Sequence, residues 1–582
     1  MRSIKTTFIL YLSVILTAHA QHFEWASTGG NLYAGFQAAV VDQSGNLVVA
    51  GVVPVPNFMN GKDSHIYASN GDSVKINLYE NPIVIVSYSP EGKINWMRRI
   101  EGGRGVPEVN GLAASPDNKI YLLGNSTGTP YFPELRIGLG YLHHHSNKIT
   151  FLYCLKTDGA PQWVKQDTLD LISWPSSFCI MPNGNFLVSG SMSHDINAGK
   201  VSLTAGAGGA DYMVSFDKNF QPVWGQNIQY KRNSCCSMGS PVTDIAANGD
   251  IYIAGHYLTG AVFNGETHMA PIVDSVTKFN EPYEAYLASY SSEGDFKWVK
   301  TSGGKSVIKA IKVSDRGVII GGYIKKNGSY FGKEVDTSGA KAAVLASFDR
   351  EGNIQWANTS NAMLVNSIAI DHDNNIYCSL QSKRYFKPFL VVGTDTVEKS
   401  ADRLIIASYT ADGKYRWIKP SQLFMNHNEL PVIVPDACGN IYVAGEMFYT
   451  LHVKTAWFDA AFIKGDAYGD APFAVKLKNT YSKRGEENTC SISPGPWKLS
   501  NYPNPFVTST EFVYTTTFDD DNGSLEIYDM DGRMIKSIFS NKHISKGTAQ
   551  VSFNAGTLPP AVYIAVLKGT SGMASTQFIV SK

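Results

Sequence analysis

Charge is scarce in this sequence. Only 17% of its 582 residues are Asp, Glu, Lys or Arg, and 50 basic residues face 50 acidic ones. A chain without net charge sets up no field that draws it towards a polyanion, so no nucleic-acid partner is indicated. Cysteine is scarcer still: Cys154, Cys179, Cys235, Cys236, Cys378, Cys438 and Cys490 make an odd set of seven with no CxxC spacing. That number and spacing argue against a disulfide framework, a thiol-type metal site and redox catalysis. The apolar run at residues 8–17 is about half of the roughly 20 residues that a membrane span requires, so no integral membrane span is read. Also missing are a Gly-x-Ser-x-Gly elbow, a His-Glu-x-x-His pair, a P-loop and the glycine pattern of dinucleotide sites. No cofactor is implied.

What is abundant is glycine, with 53 residues, and tyrosine, with 30. Together they suit many short half-buried strands joined by tight turns, an all-β chain. Residues 1–20 carry Arg2 and Lys5, the apolar run, and Ala18-His19-Ala20, the layout of a signal peptide; the mature chain is expected to begin at Gln21.

From there one phrase recurs: an alternating strand, a Gly turn, then Trp. It reads VSYSPEGKINW to Trp96, LKTDGAPQW to Trp163, FDKNFQPVW to Trp224, SYSSEGDFKW to Trp298, FDREGNIQW to Trp356 and SYTADGKYRW to Trp417. Only the Trp224 copy lacks the turn Gly. A second phrase, such as IMPNGNFLVSG or VPDACGNIYVAG, occurs seven times and places Asn, Asp and Gly where a hairpin turn needs positive φ. Two hairpins per repeat make a four-stranded blade with one variable insert. Six Trp phrases against seven of the other kind leave one blade a strand short. Residues 23–30, with the orphan Trp25, and residues 472–477, around Phe473, are the two loose strands whose pairing would close a seven-bladed β-propeller. An open solenoid would need neither.

Strand order puts the tight a–b and c–d turns on one face and the long b–c connections on the other, at 54–82, 127–148, 193–210, 258–284, 325–341, 381–403 and 448–471. Long loops on a rigid scaffold are where binding residues usually sit. Tyr131, Phe132, Tyr141, Tyr330, Tyr385 and Trp457 in these loops are candidates to stack on a sugar or grip a peptide, although aromatics in blade inserts also pack onto their own rim. His143-His144-His145 and Asp371-His372-Asp373-Asn374-Asn375 invite metal readings. Adjacent histidines alternate in direction, however, and the second run occupies a hairpin turn that wants Asp and Asn, so no metal is assigned. The repeats resemble the β-propeller repeats of bacterial secreted proteins, which implies a scaffold, not a reaction.

Residues 481–498, with Pro494 and Pro496, read as a linker between residues 21–480 and a second domain at 499–582. Six or seven short strands there (510–516, 524–529, 534–539, 550–554, 562–568 and 575–580 among them) indicate a small Ig-like β-sandwich. It carries Tyr502-Pro503-Asn504-Pro505-Phe506, then Leu525-Glu526-Ile527-Tyr528-Asp529-Met530-Asp531-Gly532-Arg533, then Leu558-Pro559-Pro560-Ala561-Val562-Tyr563, and ends at Lys582. These motifs, in this order, are similar to the type A C-terminal sorting domain of the type IX secretion system of Bacteroidota; Ala561 stands where that family usually has Gly. The resemblance implies export to the periplasm, passage through the outer membrane, removal of the domain by a sorting peptidase, and release or attachment at the cell surface. The secretion machinery and its peptidase are then partners. The propeller is read as a binding module for a polysaccharide or a surface protein. A secreted carbohydrate-active hydrolase with its site on the b–c face, and a structural component of the envelope, are the alternatives.

Overall fold

The computed structural model describes residues 22–581 except 31–34, 54–63, 68–72, 77–80, 102–106, 140–148, 168–173, 199, 232–239, 271–283, 326–327, 336–340, 382–388, 399–402, 425–430, 450–454, 459–460, 465–468, 479–496, 517–518, 530–532, 557 and 570–572. Among the described residues there is no helix.

The strands up to Lys478 form seven four-stranded antiparallel units. The first consists of Gly35–Val41, Leu47–Val52, Ile83–Tyr88 and Ile94–Ile100. The next five begin at Pro107–Ser115, Trp174–Ile180, Val242–Ile245, the second half of Phe296–Ser314, and Leu364–Ile370. Phe296–Ser314 serves two units: residues 296–305 pair back to Glu284–Tyr290 and residues 306–314 pair forward to Gly317–Lys325. The seventh unit takes Val432–Pro435, Ile441–Tyr449 and Gly469–Lys478 from one end of this region and His22–Gly30 from the other.

Burial follows from sheets stacked face to face. Inner strands such as Leu47–Val52 and Ile83–Tyr88 are covered on both faces and are buried along their whole length, which is why they read as unbroken runs of apolar or small residues closed at most by a tyrosine. The outer strand Ile94–Ile100 is instead mostly half-buried, with only Trp96 and Ile100 fully covered. The core of this region is divided into seven clusters, each lying between neighbouring units. Leu152 and Tyr121 meet Val188 and Phe216 between units two and three, and Trp25, Tyr442 and Ala474 of the seventh unit meet Phe36, Leu47 and Val86 of the first. The set of junctions therefore runs round a closed ring, and these sheets are a β-propeller.

Closure is made by backbone pairing and by a clasp. Ala26 pairs with Val475, Ser27 with Ala474 and Thr28 with Phe473. Beside this ladder the fully buried Lys476 ammonium lies 2.8 Å from Glu24 Oε2 and donates to the Pro90 carbonyl at 2.9 Å, while Lys478 reaches Glu24 Oε1 at 3.3 Å. Burial alone would raise the Glu24 carboxyl, but the Lys476 and Lys478 ammoniums outweigh it and hold the group below its usual range. The Trp25 indole donates to the same Pro90 carbonyl at 2.9 Å.

That last bond is one copy of a repeated latch. Trp96, Trp298 and Trp356 donate to the carbonyls of Thr157, Arg350 and Ala411, the equivalent position in the next unit's c–d turn, at 2.8, 3.0 and 3.1 Å. Each ring also lies against that turn's glycine. A Cβ added at Gly159, Gly352 or Gly413 would stand 2.5–2.7 Å from the indole, and all three have φ near +80°. On its other side the indole meets the tyrosine of its own second strand: Tyr252–Trp298, Tyr377–Trp417 and Tyr442–Trp25 are 5.9–6.0 Å apart. The recurring Trp, turn Gly and Tyr thus form one contact that crosses from unit to unit.

The b–c connections carry short hairpins, and most of these fold back on the preceding unit's outer strand. Ser64–Tyr67 pairs with His22–Gly30, and Gly260–Phe263 pairs with Pro222–Tyr230. Tyr131 bridges Glu101, and Phe331 N–H donates to the Ser302 carbonyl at 2.9 Å. The hairpin Ile196–Ala198 with Val201–Leu203 differs: it packs on the outer strand of its own unit, where Gln229 donates to the Thr204 carbonyl at 3.0 Å.

Residues 497–581 form a two-sheet sandwich. Trp497–Tyr502, Ser509–Thr516 and Gly547–Asn554 make one sheet, and Met534–Ile544, Asp520–Tyr528, Ala561–Lys568 and Met573–Val580 the other. Phe512, Phe553, Phe578, Leu525 and Ile527 fill the space between them. Trp497–Tyr502 is a strand beyond those the sequence pattern had marked.

Candidate functional site

The latch is altered where the second unit meets the third. The third unit's c–d turn is held as its sisters are, by Asp217 accepting from the Asn219 and Gln221 backbone N–H groups at 2.8 and 2.9 Å. The position of the turn glycine is taken by Phe220, which keeps the left-handed conformation at φ 61° and buries its ring against Phe216 at 4.7 Å. A side chain there excludes the preceding indole, as the Cβ distances at the sister glycines require. Among the described residues Trp163 makes no bond to the Lys218 carbonyl. Lys165 makes it instead, at 3.2 Å, with its ammonium 4.7 Å from the centre of the Trp163 ring.

Beside this altered contact lies a cavity of about 610 Å³ on the tight-turn face, lined by the second and third units and by residues 245–247 of the fourth. Tyr121, Phe186 and Met181, all buried, form its floor, and the half-buried Trp163 is one wall. Lys119, Asp117 and Lys218 stand at the rim. Lys119 and the Ser115 hydroxyl both donate to the Asp117 carboxylate, and these two bonds, Lys119 first, hold Asp117 below its ordinary range. The same bond raises Lys119. The turn-face site was legible in one sign only, the missing Gly in the phrase that ends at Trp224.

The aromatics singled out in the sequence have different fates. Tyr131 is exposed, at 38%. Phe132 and Tyr330 are fully buried: Phe132 packs on Phe151 and Tyr153 at 5.2 and 5.0 Å, and Tyr330 meets Phe331 edge-on at 4.9 Å. A ring with no exposed face cannot stack on a ligand, so these two belong to the rim of their sheets. Tyr141 and Tyr385 lie outside the described residues. The backbone of Trp457 sits in the strand Thr455–Phe458, and its side chain is outside them as well.

The His143–His145 run is also outside the described residues. Asp371 is committed to its turn: it accepts from Asp373 N–H at 3.0 Å, Asn375 N–H at 2.8 Å, Asn375 Nδ2 at 2.9 Å and the Tyr377 hydroxyl at 2.9 Å. Among the described residues no three His, Cys, Asp or Glu side chains are placed to hold a metal ion. Cys154, Cys179 and Cys378 are free thiols, and burial raises them to about 11, 12 and 12, far from the thiolate that nucleophilic chemistry needs. Cys438 is disulfide-bonded, to a partner outside the described residues.

Asp211 is the fully buried carboxyl at the junction of units three and four. It accepts from Ser191 Oγ at 2.9 Å, from the Tyr286 hydroxyl of the next unit at 2.6 Å, and from the Tyr230 hydroxyl. Burial outweighs these donors and pushes its carboxyl up to about 7.

In the sandwich the sequence motifs turn out to bind the last strand. Asn504 accepts from Ile579 N–H at 2.9 Å and donates to the Gln577 carbonyl at 3.1 Å, so it covers the free edge of Met573–Val580. Phe506 continues this with backbone bonds to Ile579 and Ser581 and buries its ring on Phe578, while Pro503 and Pro505 are exposed. Asp529 caps the turn to Met534–Ile544 by accepting from Arg533 N–H at 2.8 Å, and Tyr528 donates to Glu526. Tyr563 stacks on Phe578 and donates to the Pro559 carbonyl at 2.9 Å. Gly532 and Lys582 lie outside the described residues.

Fold and sites together define a β-propeller with a separate C-terminal β-sandwich. Residues 500–581 match the family described as "Secretion system C-terminal sorting domain". The sandwich is therefore a sorting domain, and the chain is a secreted protein sorted by type IX secretion, with the secretion machinery as its partner. Among solved structures, the chain is similar to one described as "Structure of Dos1 propeller", at 8% identity and a TM-score of 0.35 over 80% of this chain and 96% of that one. It is also similar to a "Crystal structure of the eukaryotic initiation factor", at 9% identity and a TM-score of 0.25 over 68% of this chain and 96% of that one. No curated protein matches. Among the described residues no helix is long and apolar enough to cross a membrane.

Proposed function

We propose that the protein is a cell-surface or released binding module of a Bacteroidota cell, in which a seven-bladed propeller spanning residues 21–480 presents a site for a glycan or a surface protein. Residues 1–20 are removed as a signal peptide, 481–498 act as a tether, and 499–582 direct outer-membrane passage and are then removed by a sorting peptidase. The observation that carries the binding assignment is the turn-face cavity, a recess with an aromatic floor and charged rim set in a ring closed by a buried ion pair. Rigid scaffolds with such recesses suit recognition, because little order is lost when a partner docks. Tyr131 is a further contact point on the opposite face. The test is a glycan array together with a surface-protein pull-down, both using the purified full-length chain. Retention of a defined glycan or protein is the expected result, and retention of neither overturns the assignment.

A further inference from the structure

The junction of the second and third units departs from its sisters on both faces of the ring. On the turn face, Phe220 replaces the glycine on which the indole would rest. On the other face, the hairpin Ile196–Ala198 with Val201–Leu203 lies on its own unit instead of reaching back. A phenylalanine in the left-handed region is strained by its Cβ, and the sister turns avoid that strain with glycine. What the exchange produces is the cavity beside Trp163. Its wall is the half-buried indole of Trp163, which has no turn glycine beneath it, in contrast to Trp96, Trp224, Trp298 and Trp356.

The chemistry of the recess is specific. Trp163 offers the apolar indole surface left between Tyr121, whose tilted ring is centred 5.9 Å away, and the Lys165 ammonium at 4.7 Å. Lys119 and Lys218 line the recess beside it, Asp117 is the one carboxylate of that lining, and the Lys165 ammonium, outside the lining, lies over the indole at 4.7 Å. Two cations against one anion leave an excess of positive charge in the lining, and it falls on Lys218, because Asp117 is already occupied by Lys119 and Ser115. We propose that this cavity binds an anionic saccharide, a uronate-bearing oligosaccharide, with one sugar ring stacked on Trp163 and its carboxylate against Lys218. The volume of about 610 Å³ falls in the range of small-ligand sites. An acidic peptide would satisfy the lysines but brings no apolar ring face for the indole. This inference rests on the binding-module reading and locates its site.

The test is calorimetric titration of the full-length chain with tetragalacturonate, beside cellotetraose as the neutral control and hexaglutamate as the acidic peptide. Tetragalacturonate is expected to bind, more weakly as salt is raised, and cellotetraose and hexaglutamate to bind at least about tenfold less tightly. Trp163→Ala and Lys218→Glu should each lower the affinity about tenfold or more. Trp356→Ala removes an indole from an intact latch, so it should lower the unfolding midpoint and leave the affinity unchanged. That contrast separates loss of a site from loss of folding. Full affinity in both Trp163→Ala and Lys218→Glu would overturn this site while leaving a binding module elsewhere on the ring. Equal binding of hexaglutamate, or a glycan array that retains only neutral sugars, would overturn the ligand class. Failure of every array and pull-down would overturn the module itself.

Discussion

Single residues decide how tightly neighbouring sheets can approach. Gly352, at φ +81°, has the Trp298 ring where a Cβ would stand at 2.7 Å, whereas Gly265, at φ +85°, has nothing within 4 Å. Gly352→Ala and Gly265→Ala share the conformational cost of about 1–2 kcal/mol, but only the first also displaces an indole, for which about 1–3 kcal/mol is typical of overpacking. Urea denaturation should therefore place Gly352→Ala below Gly265→Ala in midpoint, and equal midpoints would mean that the indole contact carries no weight. Asp211 makes a second prediction at this scale. Its folded carboxyl titrates near 7 against 3.8 for the ordinary group. The unfolded chain thus gives up this proton first as pH rises. The contribution of Asp211 to stability is full below about pH 4 and declines through pH 7, by an amount on the order of a few kcal/mol. Asp211→Asn should flatten the dependence of the urea midpoint between pH 4.5 and 7.5. An unchanged slope would show that the group is already ionised in the folded protein.

Strands and turns act through pairings that are distant in sequence. The strand His22–Gly30 meets Gly469–Lys478 across the whole propeller, and at that seam the buried Lys476 pairs with the half-buried Glu24. Removing Lys476 takes away the shorter of the two ion pairs of Glu24 and the bond to the Pro90 carbonyl, and leaves Glu24 with Lys478 alone. Lys476→Ala should therefore lower the unfolding midpoint more than Lys414→Ala, whose ion pair with Asp412 is exposed and carries about 1 kcal/mol or less. If the two variants melt alike, the clasp is not what secures the ring. Much of this level could be read from the residues alone, because Trp, Gly and Asp recur at fixed positions and alternation marks the half-buried strands. The cross-unit contacts could not. Trp298 and Gly352 belong to different repeats, and only the closed arrangement shows that each indole rests on the following turn. For the same reason the lone Phe220 looked like a degenerate repeat when its effect is to open a cavity beside Trp163. The residues alone leave each insert aromatic open to either a ligand or its own sheet rim, and Phe132 and Tyr330 go to the rim.

At the scale of the whole molecule, two cored bodies follow one another in the chain, and neither hydrophobic cluster set needs the other. The propeller closes on residues 22–30, with no strand among the described residues contributed from beyond Lys478, while the sandwich gathers Phe506, Phe512, Phe553, Tyr563 and Phe578 into a cluster of its own. Phe506 belongs to the exposed Pro503–Pro505 segment by sequence and to this cluster by packing. Its truncation to Ala should cost about 3–5 kcal/mol, a large share of the 5–15 kcal/mol that keeps a typical domain folded. Phe506→Ala is therefore expected to unfold the sorting domain in a sizeable fraction of molecules and leave the propeller transition in place. In the producing cell, fractionation should find the variant shifted from the surface and medium into the periplasm, in a form whose propeller resists protease as the normal protein does. Val507→Ala, at a neighbouring side chain that is 61% exposed, should export normally. If Phe506→Ala is exported normally, the folded sandwich is not what the secretion machinery reads. If its propeller becomes protease-sensitive, the two bodies are coupled and the independence argued from their separate cores fails.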